Sequence, residues 1–177
     1  MHRLFVAIRP PPLIRDLLLD AMDGVPDISW QDDEQLHLTL RFIGEVERPL
    51  AEDIAFALDR IRFEKFDLAL AGVGQFEQHR RGTLWADVTP KEQLRALAAK
   101  VERACQSAGV TAERRAFHPH ITLARWKGPK PRLDEFLQLN VSLCSNSWEV
   151  DQFVLYESRL GHEGAHYEAV TTYPLTG

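Results

Sequence analysis

The chain has 177 residues, 45% apolar and 27% charged, proportions of an ordinary globular protein of one domain or two small lobes sharing a core. Its net charge of −5 and pI near 5.8 argue against a protein that coats long duplex nucleic acid, yet leave room for a site that holds one nucleotide or an RNA end, where two or three local cations suffice. No run approaches transmembrane length, and the stretch from Met1 to Ile8 is too short for a signal-peptide core, so a cytoplasmic protein without membrane association is expected.

Leu4 to Ile8 predicts a short apolar strand, closed by Pro10-Pro11-Pro12. Leu13, Leu17, Leu18 and Met22 then recur at helical spacing, ending near Gly24. Ile28 to Gln35 is polar and turn-like, with Trp30 either a core anchor or a wall of a site. His37 to Ile43 predicts a strand with Leu38, Leu40 and Phe42 on one face and His37, Thr39 and Arg41 on the other. Pro49 suits the first turn of a helix whose Leu50, Ile54, Ala57, Leu58 and Ile61 form one stripe. Phe66 to Gly72 alternates as a strand, which Gly72-Val73-Gly74 interrupts. The loop Gln78 to Gly82 joins it as a hairpin to Thr83 to Val88. Thr89-Pro90-Lys91-Glu92 has the form of a capping box. The helix it opens carries Leu94, Leu97, Ala98, Val101, Ala104 and Cys105 and stops at Gly109. After a strand within Phe117 to Arg125, Gly128 to Pro131 reads as a loop and Leu133 to Leu139 as a short helix. Trp148 to Ser158 and Tyr167 to Thr172 read as a closing hairpin around Gly161 to Gly164. Cys105 and Cys144 lack metal-type spacing and read as reduced thiols, with a disulfide as the alternative.

Two short stretches carry chemistry. In His37-Leu38-Thr39-Leu40 and, 83 residues on, His120-Ile121-Thr122-Leu123, strand alternation puts the imidazole and hydroxyl on one face and the aliphatic pair on the other. One His-x-Thr matches by chance; two in a chain with seven His and eight Thr point to a single site. Each motif strand follows a helix, which predicts two related lobes, each placing one motif at a shared cleft. The fold class expected is α+β: bilobal and pseudo-symmetric, with mixed or antiparallel sheets lining the cleft and helices outside. Two imidazoles on one cleft can hold opposite protonation states near neutral pH, one removing a proton and the other giving one. Thr39 and Thr122 add donors for phosphoryl oxygens, and Arg41 and Arg125 add positive charge. These are parts for moving a phosphodiester bond without metal or cofactor. A metal site on His118 and His120, with His162 and His166 as further candidates, is the competing reading, although no acidic or cysteine partner stands at a recognised spacing. His2 and His79 read as surface residues.

These stretches resemble the RNA 2′,3′-cyclic phosphodiesterases, long called 2′-5′ RNA ligases, of the two-histidine phosphoesterase superfamily. The resemblance runs through Arg3 to Ile8, Leu36 to Val46, Gly72 to Phe76, Leu84-Trp85-Ala86, Phe117 to Arg125, Leu155 to Leu160, Tyr167 and Pro174-Leu175. Arg81-Gly82-Thr83 stands where the family often has Pro-Arg-Val. The resemblance implies one bilobal phosphoesterase domain over residues 1–177 and opening of RNA-terminal 2′,3′-cyclic phosphate to a 2′-phosphate. It implies His37 as proton donor and His120 as proton acceptor, with Thr39 and Thr122 on phosphate oxygens and Arg125 assisting. The expected partner is an RNA end or a nucleoside 2′,3′-cyclic phosphate, acted on by a monomer. Joining of RNA ends through a 2′-5′ linkage and a non-catalytic RNA-end binding module are the alternatives.

Overall fold

The computed structural model describes residues 1–177 and contains nine strands and four α-helices. In chain order these are β1 (His2–Ile8), α1 (Pro12–Ala21), β2 (Ser29–Trp30), a 3₁₀ turn (Asp33–Gln35), β3 (Leu38–Val46), α2 (Arg48–Asp59), β4 (Phe66–Gln78) and β5 (Arg81–Thr89). There follow α3 (Glu92–Ala108), β6 (Ile121–Lys127), α4 (Asp134–Asn140), β7 (Trp148–Val150), β8 (Gln152–Gly161) and β9 (Gly164–Pro174). The fold is α+β. Where mixed or antiparallel sheets were expected, all the strands join one antiparallel sheet in the order β7-β4-β5-β6-β3-β1-β8-β9, with β2 on the edge of β6.

The halves β7-β4-β5-β6 and β3-β1-β8-β9 meet at one paired position, Leu38 opposite Ile121. Beyond it β3 and β6 separate, and Ser29 and Trp30 of β2 pair with Arg125 and Ala124 along the edge that β3 leaves. The main core lies between one sheet face and the helices. α3 contributes Leu94, Leu97, Ala98, Val101 and Cys105 at helical spacing, α1 contributes Ile14 and Leu18, and α2 contributes Ile54 and Leu58. The opposite face carries a small second cluster of Phe5, Ala7, Val154 and Tyr156 with Tyr167 against it. β1 therefore buries both faces, Leu4, Val6 and Ile8 in the main core and Phe5 and Ala7 in the other.

Several local expectations are corrected. Thr89 stays in β5, paired with Ala69, so its side chain caps nothing, and α3 starts at Glu92 behind Lys91. Its end agrees: Gly109 has φ +112°, a left-handed conformation that ends helices and suits glycine. Trp148 to Ser158 divides at Asp151, because β7 pairs with β4 in one half of the sheet and β8 with β1 in the other. β4 runs through Gly72 to Gln78 with a register shift between Leu70 and Val73. The facing of β3 also changes. A bulge between the pairs Val6–Arg41 and Ala7–Thr39 leaves Leu40 unpaired, so Arg41 is buried at 8% exposure while Phe42 is 40% exposed. No helix is long and apolar enough to cross a membrane. Cys105 is buried, Cys144 is exposed and both are free.

Candidate active site

His37 is held from behind by the 3₁₀ turn. Asp32 and Gln35 form a reciprocal capping pair, with the Gln35 N–H on Asp32 Oδ1 and the Asp32 N–H on Gln35 Oε1, both at 3.0 Å. Arg9 clamps the turn to the end of β1, donating to the carbonyls of Asp33 at 3.0 Å and Leu36 at 2.9 Å. Arg15 adds an ion pair to Asp33 at 2.8 Å, and the Gln35 side chain reaches the Ala165 carbonyl on β9 at 2.8 Å. The Gln35 carbonyl thus stands fixed and accepts from His37 Nδ1–H at 2.7 Å. A carbonyl only accepts, so Nδ1 carries the proton of the neutral ring. Nε2 then accepts from the Thr39 hydroxyl at 2.9 Å. The ring lies 4.9 Å from Phe5 and edge-on to Tyr167 at 5.3 Å.

His120 repeats the arrangement across the junction. Its Nδ1–H donates to the His118 carbonyl at 2.6 Å, which leaves Nε2 as the ring nitrogen free for the site. Phe76 meets the ring edge-on at 5.3 Å, and Trp85 lies 6.0 Å away. Trp85 seats over Gly74, where a Cβ would come within 2.4 Å of the indole. An antiparallel register centred on Leu38–Ile121 sets His37 across from Thr122 and Thr39 across from His120. Leu38 and Ile121, both fully buried, point the other way into the core.

Burial is the main cause that pushes the His37 imidazole down from 6.5 to about 4. The Gln35 carbonyl opposes it, while the positive fields of Arg125, His120 and Arg9 reinforce it. His120 is lowered too, first by burial, with Arg125 and His118 adding and the His118 carbonyl and Asp87 opposing. In the free protein both rings therefore favour the neutral form, and the expected pair of opposite protonation states calls for an anion near Arg125. Such an anion would find two Nε2 positions, two hydroxyls and a guanidinium around it, a set suited to a phosphoryl group.

Of the residues picked out in the sequence, His37, Thr39, His120, Thr122 and Arg125 share this locus. Arg41 does not. The bulge turns its guanidinium to the helical side, where it bonds both Glu102 oxygens at 3.0 and 3.2 Å and the Thr111 carbonyl at 2.6 Å. Trp30 is a core anchor, packed beside Phe136 at 5.8 Å. His118, His162 and His166 are exposed, and no three His, Cys, Asp or Glu side chains gather as metal ligands. Arg9, Phe5, Tyr167, Phe76 and Trp85 were missed as site residues. Phe5 carried a signal: it is a large aromatic on the alternation phase opposite Leu4 and Val6, which marks a second apolar face. Asp32-x-x-Gln35 is a capping pair that was also legible.

The sequence matches the family model described as "2'-5' RNA ligase superfamily" over residues 14–162. It is 39% identical over 154 residues to the RNA 2′,3′-cyclic phosphodiesterase of Aeropyrum pernix, covering 85% of this chain and 87% of that one. To the protein of the same name from Geobacillus stearothermophilus it is 35% identical over 164 residues, covering 89% of this chain and 51% of that one. Among solved structures it is similar to Escherichia coli LigT complexed with 3′-AMP, with a TM-score of 0.82 at 29% identity over 99% of each chain.

Proposed function

The chain belongs to the 2′-5′ RNA ligase superfamily, and on that premise we propose that it opens RNA-terminal 2′,3′-cyclic phosphates to 2′-phosphates. His120 Nε2 takes a proton from water as the water oxygen bonds phosphorus. The bond from phosphorus to O3′ breaks, and His37 Nε2–H delivers its proton to O3′, leaving a 3′-hydroxyl and a 2′-phosphate. Thr39, Thr122 and Arg125 hold the non-bridging oxygens. The observation that carries the proposal is the doubled device: two imidazoles, each tied through Nδ1 to a carbonyl two residues back, on either side of one strand pair. A binding module needs no such proton-transfer pair. Relatives named RNA 2′,3′-cyclic phosphodiesterase support the choice of substrate.

The donor and acceptor roles follow the resemblance. His37 is strongly depressed in the free protein, so its role as donor relies on the phosphate anion to raise it. No metal enters the steps. The test is incubation with nucleoside 2′,3′-cyclic monophosphates before and after exhaustive EDTA treatment, with the product phosphate position read by NMR. Expected are a 2′-phosphate and an unchanged rate after chelation. A 3′-phosphate product, or loss of activity that zinc or manganese restores, would overturn the scheme. Accumulation of 2′-5′-linked product from RNA ends would identify end joining instead.

A further inference from the structure

The cleft face of β4, β5 and β6 continues past the histidine as regular rows. On β5, Gly82, Leu84, Ala86 and Val88 are buried in the core, while Arg81, Thr83, Trp85 and Asp87 take the cleft phase. The first row is Gly74–Trp85–Thr122, beside His120. The second is Phe76–Thr83–Arg125, in which Phe76 keeps 41% of its surface exposed. The third is Gln78–Arg81–Lys127. Rows stand two residues apart on β4 and β5, roughly 6.6 Å along the strand, about one nucleotide step of an extended strand; on β6 a bulge at Leu123 adds one residue between Thr122 and Arg125. The ion pairs on β4 and β5 are Lys91–Asp87 at 2.9 Å and Lys130–Glu77 at 3.9 Å; Arg81, Arg125 and Lys127 enter none. Charge therefore rises in one direction from the catalytic pair, in a protein of net charge −5.

Resting on the proposed reaction, we infer that these rows form a track for the RNA strand that leads into the cyclic end, with Arg81 and Lys127 holding the phosphate one nucleotide upstream of the terminal one. Exposed aromatic faces between free cations are how single strands are held without base readout, and Phe76 supplies such a face. The substrate class is then an RNA oligomer, with the mononucleotide a minimal version of it.

Kinetics on a cyclic mononucleotide and on a hexanucleotide with a 2′,3′-cyclic end test this. The hexanucleotide should have kcat/KM about tenfold higher, gained in KM, and a log–log salt slope, read between about 50 and 200 mM, steeper by about 0.7 per phosphate held. In the variant carrying Arg81→Gln and Lys127→Gln, kcat/KM for the hexanucleotide should fall about tenfold more than that for the mononucleotide, and the extra salt slope should vanish. Equal losses on both substrates, or no oligomer advantage in the wild type, would overturn the track. Fluorescence anisotropy with a hexanucleotide ending in 2′-phosphate reads it without turnover: binding should weaken about tenfold in the variant, and unchanged binding would refute it. Absent turnover on every substrate would instead refute the proposed reaction.

Discussion

Burial beside Phe5 and Tyr167, with Arg125 and Arg9 near, makes a charged His37 unfavourable, and His120 is lowered for similar reasons. Both limbs of the kcat/KM profile should therefore fall below the ordinary imidazole value of about 6.5, as properties of the coupled pair. The kcat profile should sit at higher pH, because the bound phosphate favours imidazolium. A kcat/KM optimum above about 7.5 would contradict this. His37→Ala and His120→Ala should each lose roughly a thousandfold in turnover. Residual activity should lose its acidic limb when the base is removed and its alkaline limb when the acid is removed, which assigns the roles. The same shift predicts a stability effect. Between about pH 4 and 6.5 the unfolded chain binds a proton at His37 that the folded one does not, so stability falls as pH falls through that window, by about 3 kcal/mol. Urea unfolding at both ends of the window, for wild type and His37→Phe, checks it: the variant should lose that part of the pH dependence. Arg41 makes a contrasting case. Arg41→Met strands Glu102 and the Thr111 carbonyl, and should cost roughly 3 kcal/mol while kcat of the folded fraction stays within about twofold. Lost turnover at unchanged stability would return Arg41 to the site.

At the level of elements, the β4–β5 hairpin owes its place to two close approaches. Trp85 lies over Gly74 on the cleft face, and Trp126, 4% exposed, lies over Gly82 on the core face, where an added Cβ would come within 1.9 Å of the ring. The slots let two indoles cross the strands where any side chain would hold them off. Gly82→Ala should force the buried Trp126 to shift, costing about 1–3 kcal/mol in urea unfolding. A change under about 0.5 kcal/mol would mean that the hairpin yields easily. The hairpin was legible because the turn residues and the period-two pattern coincide. The bulge at Leu40 was not, since His37 to Phe42 alternates strictly through that position; it shows only in the pairing with β1.

At the level of the molecule, the two halves of the sheet touch through Leu38 and Ile121, and the site lies directly over that pair. Ile121→Ala removes buried volume at the junction and should destabilise by about 3 kcal/mol, as should Leu58→Ala on α2, also buried. Only the junction variant should also lose turnover, because the relation between the two motif strands depends on it. Equal retention of kcat in both variants at matched folded fraction would show that the halves are aligned elsewhere.

What the residues alone determined here is local or periodic: strands and helices, the two faces of each motif, and the placement of His, Thr and Arg125 on short spacings. Alternation and capping act within a few residues, so they are written in the chain. What needed the tertiary structure is whatever depends on distant partners. Arg9 clamps a turn 24 to 27 residues away, Glu102 claims Arg41 across 61 residues, and β7 and β8 part to opposite halves of the sheet. The protonation of His37 belongs to this second class, because it is set by burial and by the field of Arg125, neither of which a spacing of residues contains.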